Sequence, residues 1–395
     1  MARESDRESD TYLENLPTEV LLQILTQITD VHCLWNLLVS SPAAGRVFNR
    51  YCDDIFWPSI HDGIVPPQTQ DVIRCIISLR SGAFRTTPLD QLAGKIRDGE
   101  AGIVLGQSSE LGYSLPTIDT TAKPSLTVMR SILAVASQIH ALSRLCVGHY
   151  LATLSAAKAA GRLDATPEGS INGQLSWVEE QRIIRAFWRV QLVRELNLAA
   201  RTSKVQSSDE GAGTPRELDV EAFYDSTTSN LKVAYHEVMS ALDFLKESDL
   251  GKAPYRTTAL KRMQSNNYTG TSISPSTARM PPDSATRRSS LVLPADGLWI
   301  VDSMGRNAHS PIKYAGFGPY RRMGFAIWDR ERLARLGLAS PPGHGRVTGL
   351  GSYFSFWLNL LDTQEMSRAE ERMREAECRG GRLAPLQPMI QDNAS

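Results

Sequence analysis

The sequence predicts a mainly α fold: an N-terminal unit of three short helices, then an irregular α-helical domain with long loops. Three observations lead there. Apolar residues recur at three- and four-residue spacing in window after window, helix-starting residues stand just ahead of those windows, and no period of roughly 20 to 50 residues announces a solenoid or a propeller.

Composition bounds the function classes. The 395 residues suffice for about two or three domains, whose cores need no disulfide support. Apolar residues at 42% and charged residues at 22% lie near globular averages, which excludes wholesale disorder. Lys plus Arg and Asp plus Glu both number 43, so no net field draws the chain to nucleic acid or anionic lipid. Cys33, Cys52, Cys75, Cys146 and Cys378 lie far apart, odd in number and without a CxxC pair, which reads as a reduced cytoplasmic or nuclear setting. Arg3, Glu4, Asp6, Arg7, Glu8 and Asp10 stand where a signal peptide would need an apolar run. Later apolar stretches such as SILAVASQI, 131–139, fall short of the roughly 20 residues that span a bilayer, so no membrane is expected.

After a tail at 1–11, residues 12–56 read as three helices. Pro17 suits a first helical position, where its missing N–H has no partner to lose, and Glu19 faces the positive end of the helix. Val20, Leu21, Ile24, Leu25 and Ile28 then share one apolar stripe, with Leu22 away from its centre. Asp30 can cap a second helix carrying Leu34, Leu37 and Leu38, and Ser41-Pro42 can start a third. About 40 residues enclose little interior, so the surplus Leu and Ile must be covered by a neighbouring domain or a second protein.

The string LENLPTEVLLQILTQITDVHCLWNLLVSSPAAGRVFNRY carries Leu16-Pro17-x-Glu19-Val20-Leu21, then Ile24-Leu25 and Ile28 in step, then xxLxxLLxxSP. It resembles an F-box, in the fungal form that opens LPxE, over about 45 of the 395 residues. The later Trp common in animal F-boxes is replaced by SSPAAGRVF. The resemblance implies docking onto a Skp-type adaptor and through it a cullin and RING-type ubiquitin ligase, while the rest of the chain selects a protein substrate. Leu16, Pro17, Val20, Leu21, Ile24, Leu25 and Ile28 are the residues it nominates, some packing internally and others facing the adaptor. The function so implied is a non-catalytic substrate-recruiting subunit that acts by proximity. The alternatives are a helical scaffold or interaction protein without a ubiquitin-ligase role, and an F-box protein acting outside ubiquitination.

Residues 57–200 read as mainly helical. Pro66-Pro67 breaks the chain, and 69–79 forms a helix on Val72, Ile73, Ile76 and Ile77. The Gly-rich stretch 88–121 reads as a loop. From Pro124 to about Ala160 runs a long helix, or two with a break near Gly148, with Leu126, Met129, Leu133 and Ala136 on one stripe and Ile132, Val135 and Ile139 beside it. In SWVEEQRIIRAFWRVQLVREL, Ser176 and Glu179 make a capping box, Ile183, Ile184, Phe187, Trp188 and Leu192 an apolar face, and Arg182, Arg185 and Arg189 a basic row. This segment resembles one in uncharacterised ascomycete F-box-like proteins, of the form EExRIxRAxWRxQL. The Arg row could hold phosphate or RNA, but pairing with acidic neighbours is the preferred reading for a neutral chain.

A linker at 201–217 precedes a helical continuation at 218–263, with Leu231, Tyr235, Val238, Leu242 and Leu245 in register. The Ser/Thr/Pro-rich insertion at 264–296 reads as disordered and includes Arg287-Arg288-Ser289-Ser290, which resembles a basophilic kinase site. The C-terminal part, 297–378, begins within a loop or short extended piece, LVLPADGLWIVD; Asp329 starts a short helix that Gly337 ends, and 363–377 is a charged, solvated helix before the tail at 379–395.

No catalytic constellation, cofactor or metal is expected. His236-Glu237 lacks the second His of a zinc-binding HExxH, no phosphate loop, nucleophile elbow or GxGxxG occurs, and GFG at 316–318 and GHG at 343–345 are turn chemistry. His140 reads as a satisfied interior or rim residue, and Cys33 and Cys52 as packing residues.

Overall fold

The computed structural model describes residues 13–61, 65–104, 123–163, 175–206, 217–225, 232–248, 295–307, 309–342 and 350–378. Among them the regular structure is sixteen helices, with one isolated bridge joining Pro88 and Gln206, so the mainly α prediction holds. The charged tail, residues 207–216 of the linker, the run at 264–290 with its Arg-Arg-Ser-Ser string, the GHG triplet and the C-terminal tail lie outside the described residues.

The N-terminal region holds four helices where three were expected: α1 Thr18–Gln27, α2 Val31–Ser40, α3 Pro42–Arg50 and α4 Cys52–His61. The fourth runs past the expected boundary at 56 although Pro58 stands inside it. Burial of Ile55, Phe56 and Ile60 on one side outweighs the hydrogen bond that proline removes. Next come α5, Pro67–Ser81, which buries all four predicted residues, and α6, Leu89–Val104. The latter corrects the loop reading of the Gly-rich stretch. Each glycine costs about 1 kcal/mol relative to alanine in a helix. Leu89, Leu92, Ala93 and Ile96, at helical spacing, are all buried, and each Leu or Ile so placed contributes roughly 1.5–3 kcal/mol.

The long helix α7, Leu126–Ala159, is unbroken at Gly148, where a Cβ would meet nothing. By length and composition it is apolar enough to cross a membrane. In this fold Met129, Ile132, Leu133, Ile139, Leu142 and Cys146 are buried in protein, and two of the serines that interrupt it pair with side chains of other helices, Ser131 with Arg80 and Ser137 with His32. Helix α8, Trp177–Arg201, is followed by α9, Val220–Tyr224, and α10, Lys232–Glu247. In α10 Val238 and Leu245 are buried as predicted, while Tyr235 and Leu242 are half-buried and Ala234, Ala241 and Phe244 fill the interior.

The remaining helices are α11 Asp296–Met304, α12 Pro311–Ala315, α13 Gly318–Arg321, α14 Arg330–Arg335, α15 Leu350–Asn359 and α16 Thr363–Cys378. Helix α11 corrects the reading of DGLWIVD as a loop or short extended piece, while 291–294 lie outside the described residues. Its first turn abuts the chain at Phe325, where a Cβ on Gly297 would stand 2.6 Å from the Phe325 carbonyl oxygen, so the glycine serves close approach and not a loop. Asp329 caps α14 through the Arg332 N–H at 2.9 Å, and Gly337 follows its end with φ 72°, both as predicted.

The chain divides into two compact units. One comprises Met1–Gly99, Ser109–Ser143 and Trp188–Asp219; the other comprises Glu100–Ser108, Arg144–Phe187 and Val220–Ser395. Helices α7 and α8 therefore each give one part to each unit. In the second unit an aromatic core of Tyr150, Phe187, Tyr320, Phe325, Trp328 and Trp357 is wired by polar tips: Tyr150 donates to the Ser240 carbonyl at 2.6 Å, Trp328 to Met323 at 2.8 Å and Trp357 to Leu338 at 2.9 Å.

Candidate docking surface

The N-terminal helices are set by local chemistry. The Pro17 carbonyl accepts the first helical N–H groups, from Val20 and Leu21, both at 3.1 Å, which places the proline one position earlier than predicted, just before the helix. Asp30 Oδ1 accepts from His32 N at 2.7 Å and Cys33 N at 3.2 Å, and Ser41 Oγ from Ala44 N at 3.2 Å, as the sequence predicts. Sequence reasoning missed a second cap on α3. Glu14 reaches across to accept the Ser41 hydroxyl at 2.5 Å and the Ala43 N–H at 3.0 Å. A carboxylate there also faces the positive end of the helix dipole, and it pins the segment ahead of α1 to the start of α3.

This frame sorts the seven nominated residues. Leu21 and Leu25 are buried on the side of α1 that packs against α3 and α4. Leu16, Ile24 and Ile28 are half-buried, while Pro17 and Val20 are exposed, Val20 at 40%. Positions 16, 20, 24 and 28 follow one another at four-residue spacing, so they form a row along α1 and its two ends, next to the buried pair. On α2, Leu34 and Leu38 are inside and Leu37 is half-buried. Two further apolar side chains escaped the sequence reading: Leu13, 40% exposed, and Val39, 65% exposed. Leu13 adjoins Glu14, and Val39 lies two residues before Ser41, whose hydroxyl donates to Glu14. Single exposed apolar residues need no explanation; a row with such additions is the kind of surface that proteins cover with a partner.

The other candidates resolve differently. Cys33 is exposed, which corrects its assignment to packing, and Cys52 is half-buried. Burial, and then the adjacent Asp30, raise the Cys33 thiol above its ordinary range, the reverse of an activated nucleophile. His140 lies half-buried, stacked on His32 with ring centroids 4.4 Å apart. The Arg row turns inward: Arg182, Arg185 and Arg189 are all buried. Arg185 forks onto Glu237 at 3.0 and 2.6 Å, the acidic pairing preferred above, whereas Arg182 donates to the carbonyls of Ile327 at 2.9 Å and Trp328 at 3.3 Å. Such a row offers nothing to phosphate or RNA in solution. His236 is buried too, and burial, then Arg321 and Lys232, lower its pKa from 6.5 to about 3. Among the described residues no group of three or more His, Cys, Asp and Glu side chains is placed to hold a metal ion.

Neither a family model, nor a curated protein, nor a solved structure matches the chain.

Proposed function

We propose that the chain is an F-box substrate-recruiting subunit, which binds a Skp-type adaptor through its N-terminal helices and a protein substrate through the rest. One observation carries this reading. Along α1 the apolar residues split into a buried pair, Leu21 and Leu25, that holds the helix bundle together, and a row of Leu16, Val20, Ile24 and Ile28, with Pro17, that the bundle leaves partly uncovered. A helix needed only for its own core has no use for the second set. The LPxE resemblance names the class of partner that such a row receives. Its mechanism needs no catalytic group on this chain: a substrate held beside a charged conjugating enzyme reacts at a raised effective concentration.

The test uses the full-length protein with a Skp-type adaptor and a cullin. Capture of both supports the ligase role, and loss of capture in Val20→Glu/Ile24→Glu locates it on the row. Adaptor without cullin would point to an F-box role outside ubiquitination. Failure to bind any Skp-family adaptor, or undiminished binding by the double variant, would overturn the proposal.

A further inference from the structure

We propose that the cavity between α5, α7 and the end of α8 is a peptide-binding pocket, which takes an apolar side chain flanked by a carboxylate. It lies within the first compact unit and has a volume of about 310 Å³, at the lower end of the range for ligand sites. Leu79, Val128, Leu198 and Ala199 give it apolar walls. Leu198 is 52% exposed at the rim, whereas Leu79 and Ala199 are buried, so the mouth presents apolar surface that the fold itself does not cover.

The polar groups around the cavity are largely tied to each other. Arg80 donates to Glu195 and, at 2.7 Å, to Ser131 Oγ; Gln191 donates to the same Glu195 oxygen at 2.7 Å. Ser131 and Thr202 hydroxyls donate inward, to the Val128 carbonyl at 2.6 Å and the Leu198 carbonyl at 2.8 Å. A wall fixed in this way keeps its shape while empty, and the Thr202 oxygen, which is a donor inward, still has lone pairs for a peptide N–H.

Charge fixes the class of occupant. Glu195 neutralises Arg80, which leaves Lys204 as the uncompensated charge of the lining. Its Nζ donates to the Arg80 carbonyl at 2.7 Å and has no carboxylate partner among the described residues. The pocket is thus apolar with a single cationic edge, which suits Leu, Ile, Met or Phe with Asp or Glu close by and disfavours a basic peptide. None of its lining residues belongs to the α1 row, so the inference stands apart from adaptor binding.

Panning a phage-displayed library of random heptapeptides against the full-length protein, and in parallel against Leu198→Glu, tests it. Leu198 is exposed, so that substitution leaves the core intact. Peptides selected by the wild type should carry an apolar residue with an acid within two positions. Fluorescein-labelled copies should bind at least ten-fold more weakly to Leu198→Glu in anisotropy titrations, and more weakly at high salt. Lys204→Glu should shift the selected flanking residue from acidic to basic. Val20→Glu should leave peptide affinity unchanged, which separates this site from the adaptor row. Selection no different on wild type and Leu198→Glu, or selected peptides without an acid, would overturn the proposal. So would a concentration-dependent dimer that Leu198→Glu dissociates, since a second copy would then fill the pocket.

Discussion

Glu179 and Arg332 form a two-point ion pair in the interior of the second unit, at 2.7 and 2.8 Å, across 153 residues of sequence. The carboxylate is fully buried, and the guanidinium also lies 4.8 Å over the Trp328 ring. Besides Arg332, Glu179 accepts the Ser176 N–H at 3.0 Å and the Asp329 N–H at 3.1 Å. One side chain thus closes the capping box of α8 and anchors the start of α14. Burial pushes the Glu179 carboxyl above its ordinary range, opposed first by the hydrogen bond from Arg332. The four donors are the compensation that a buried carboxylate requires.

Glu179→Ala should therefore destabilise the protein by about 3–5 kcal/mol, because Arg332 is left buried without its counter-charge. In urea titrations the double variant Glu179→Ala/Arg332→Met should be less destabilised than the sum of the single changes. Strict additivity would mean that the pair is not coupled.

Acid should unfold the second unit through His236. Its folded pKa of about 3 lies below the ordinary 6.5, so the unfolded chain binds the proton more readily. The contribution of the neutral ring to stability is fully present above 6.5 and declines as pH falls toward 3, by at most about 5 kcal/mol. His236→Leu should flatten that part of the stability-against-pH curve; an unchanged slope would show that other groups govern it.

On α1 stability and binding should separate. Leu25→Ala opens a cavity among fully buried neighbours and should cost about 2–5 kcal/mol, whereas Val20→Glu should leave the melting temperature within a degree or two of wild type. Thermal melts decide this independently of any partner. A Val20→Glu protein as unstable as Leu25→Ala would place the row inside the core.

Gly324→Ala should be destabilising for two reasons at once. The residue has φ 84°, and its Cβ would stand 2.7 Å from the Trp328 indole, a side chain held by its bond to Met323. Backbone strain and overpacking each carry about 1–3 kcal/mol. A variant of wild-type stability in denaturant titrations would show that the turn relaxes without resistance.

What could be read from the chain follows the range of the forces involved. Asp30, Ser41, Ser176 with Glu179, and Asp329 announce their helices because a cap acts within three residues. The Gly-rich α6, and α11 behind its proline, carry weak local propensity and form because Ile96 and Ile300 find burial in tertiary structure, which no local window records. The partner of Glu179 was equally hidden, since an ion pair between distant residues leaves no periodicity. On the candidate surface the stripe of α1 was visible, yet its division was not: Leu21 and Val20 are neighbours on a helix, and only the packed α3 and α4 decide which is inside. Leu13 stands ahead of the helix and Val39 follows Leu37-Leu38 off the buried face of α2, so neither falls on a core stripe.

The recognisable motif starts at Leu16, two residues after the carboxylate that clamps the first turn of α3. A fragment cut to begin at Leu16 would therefore lose that clamp and fray at the start of α3. The N-terminal unit therefore needs the acid at position 14, which lies ahead of the LPxE string itself.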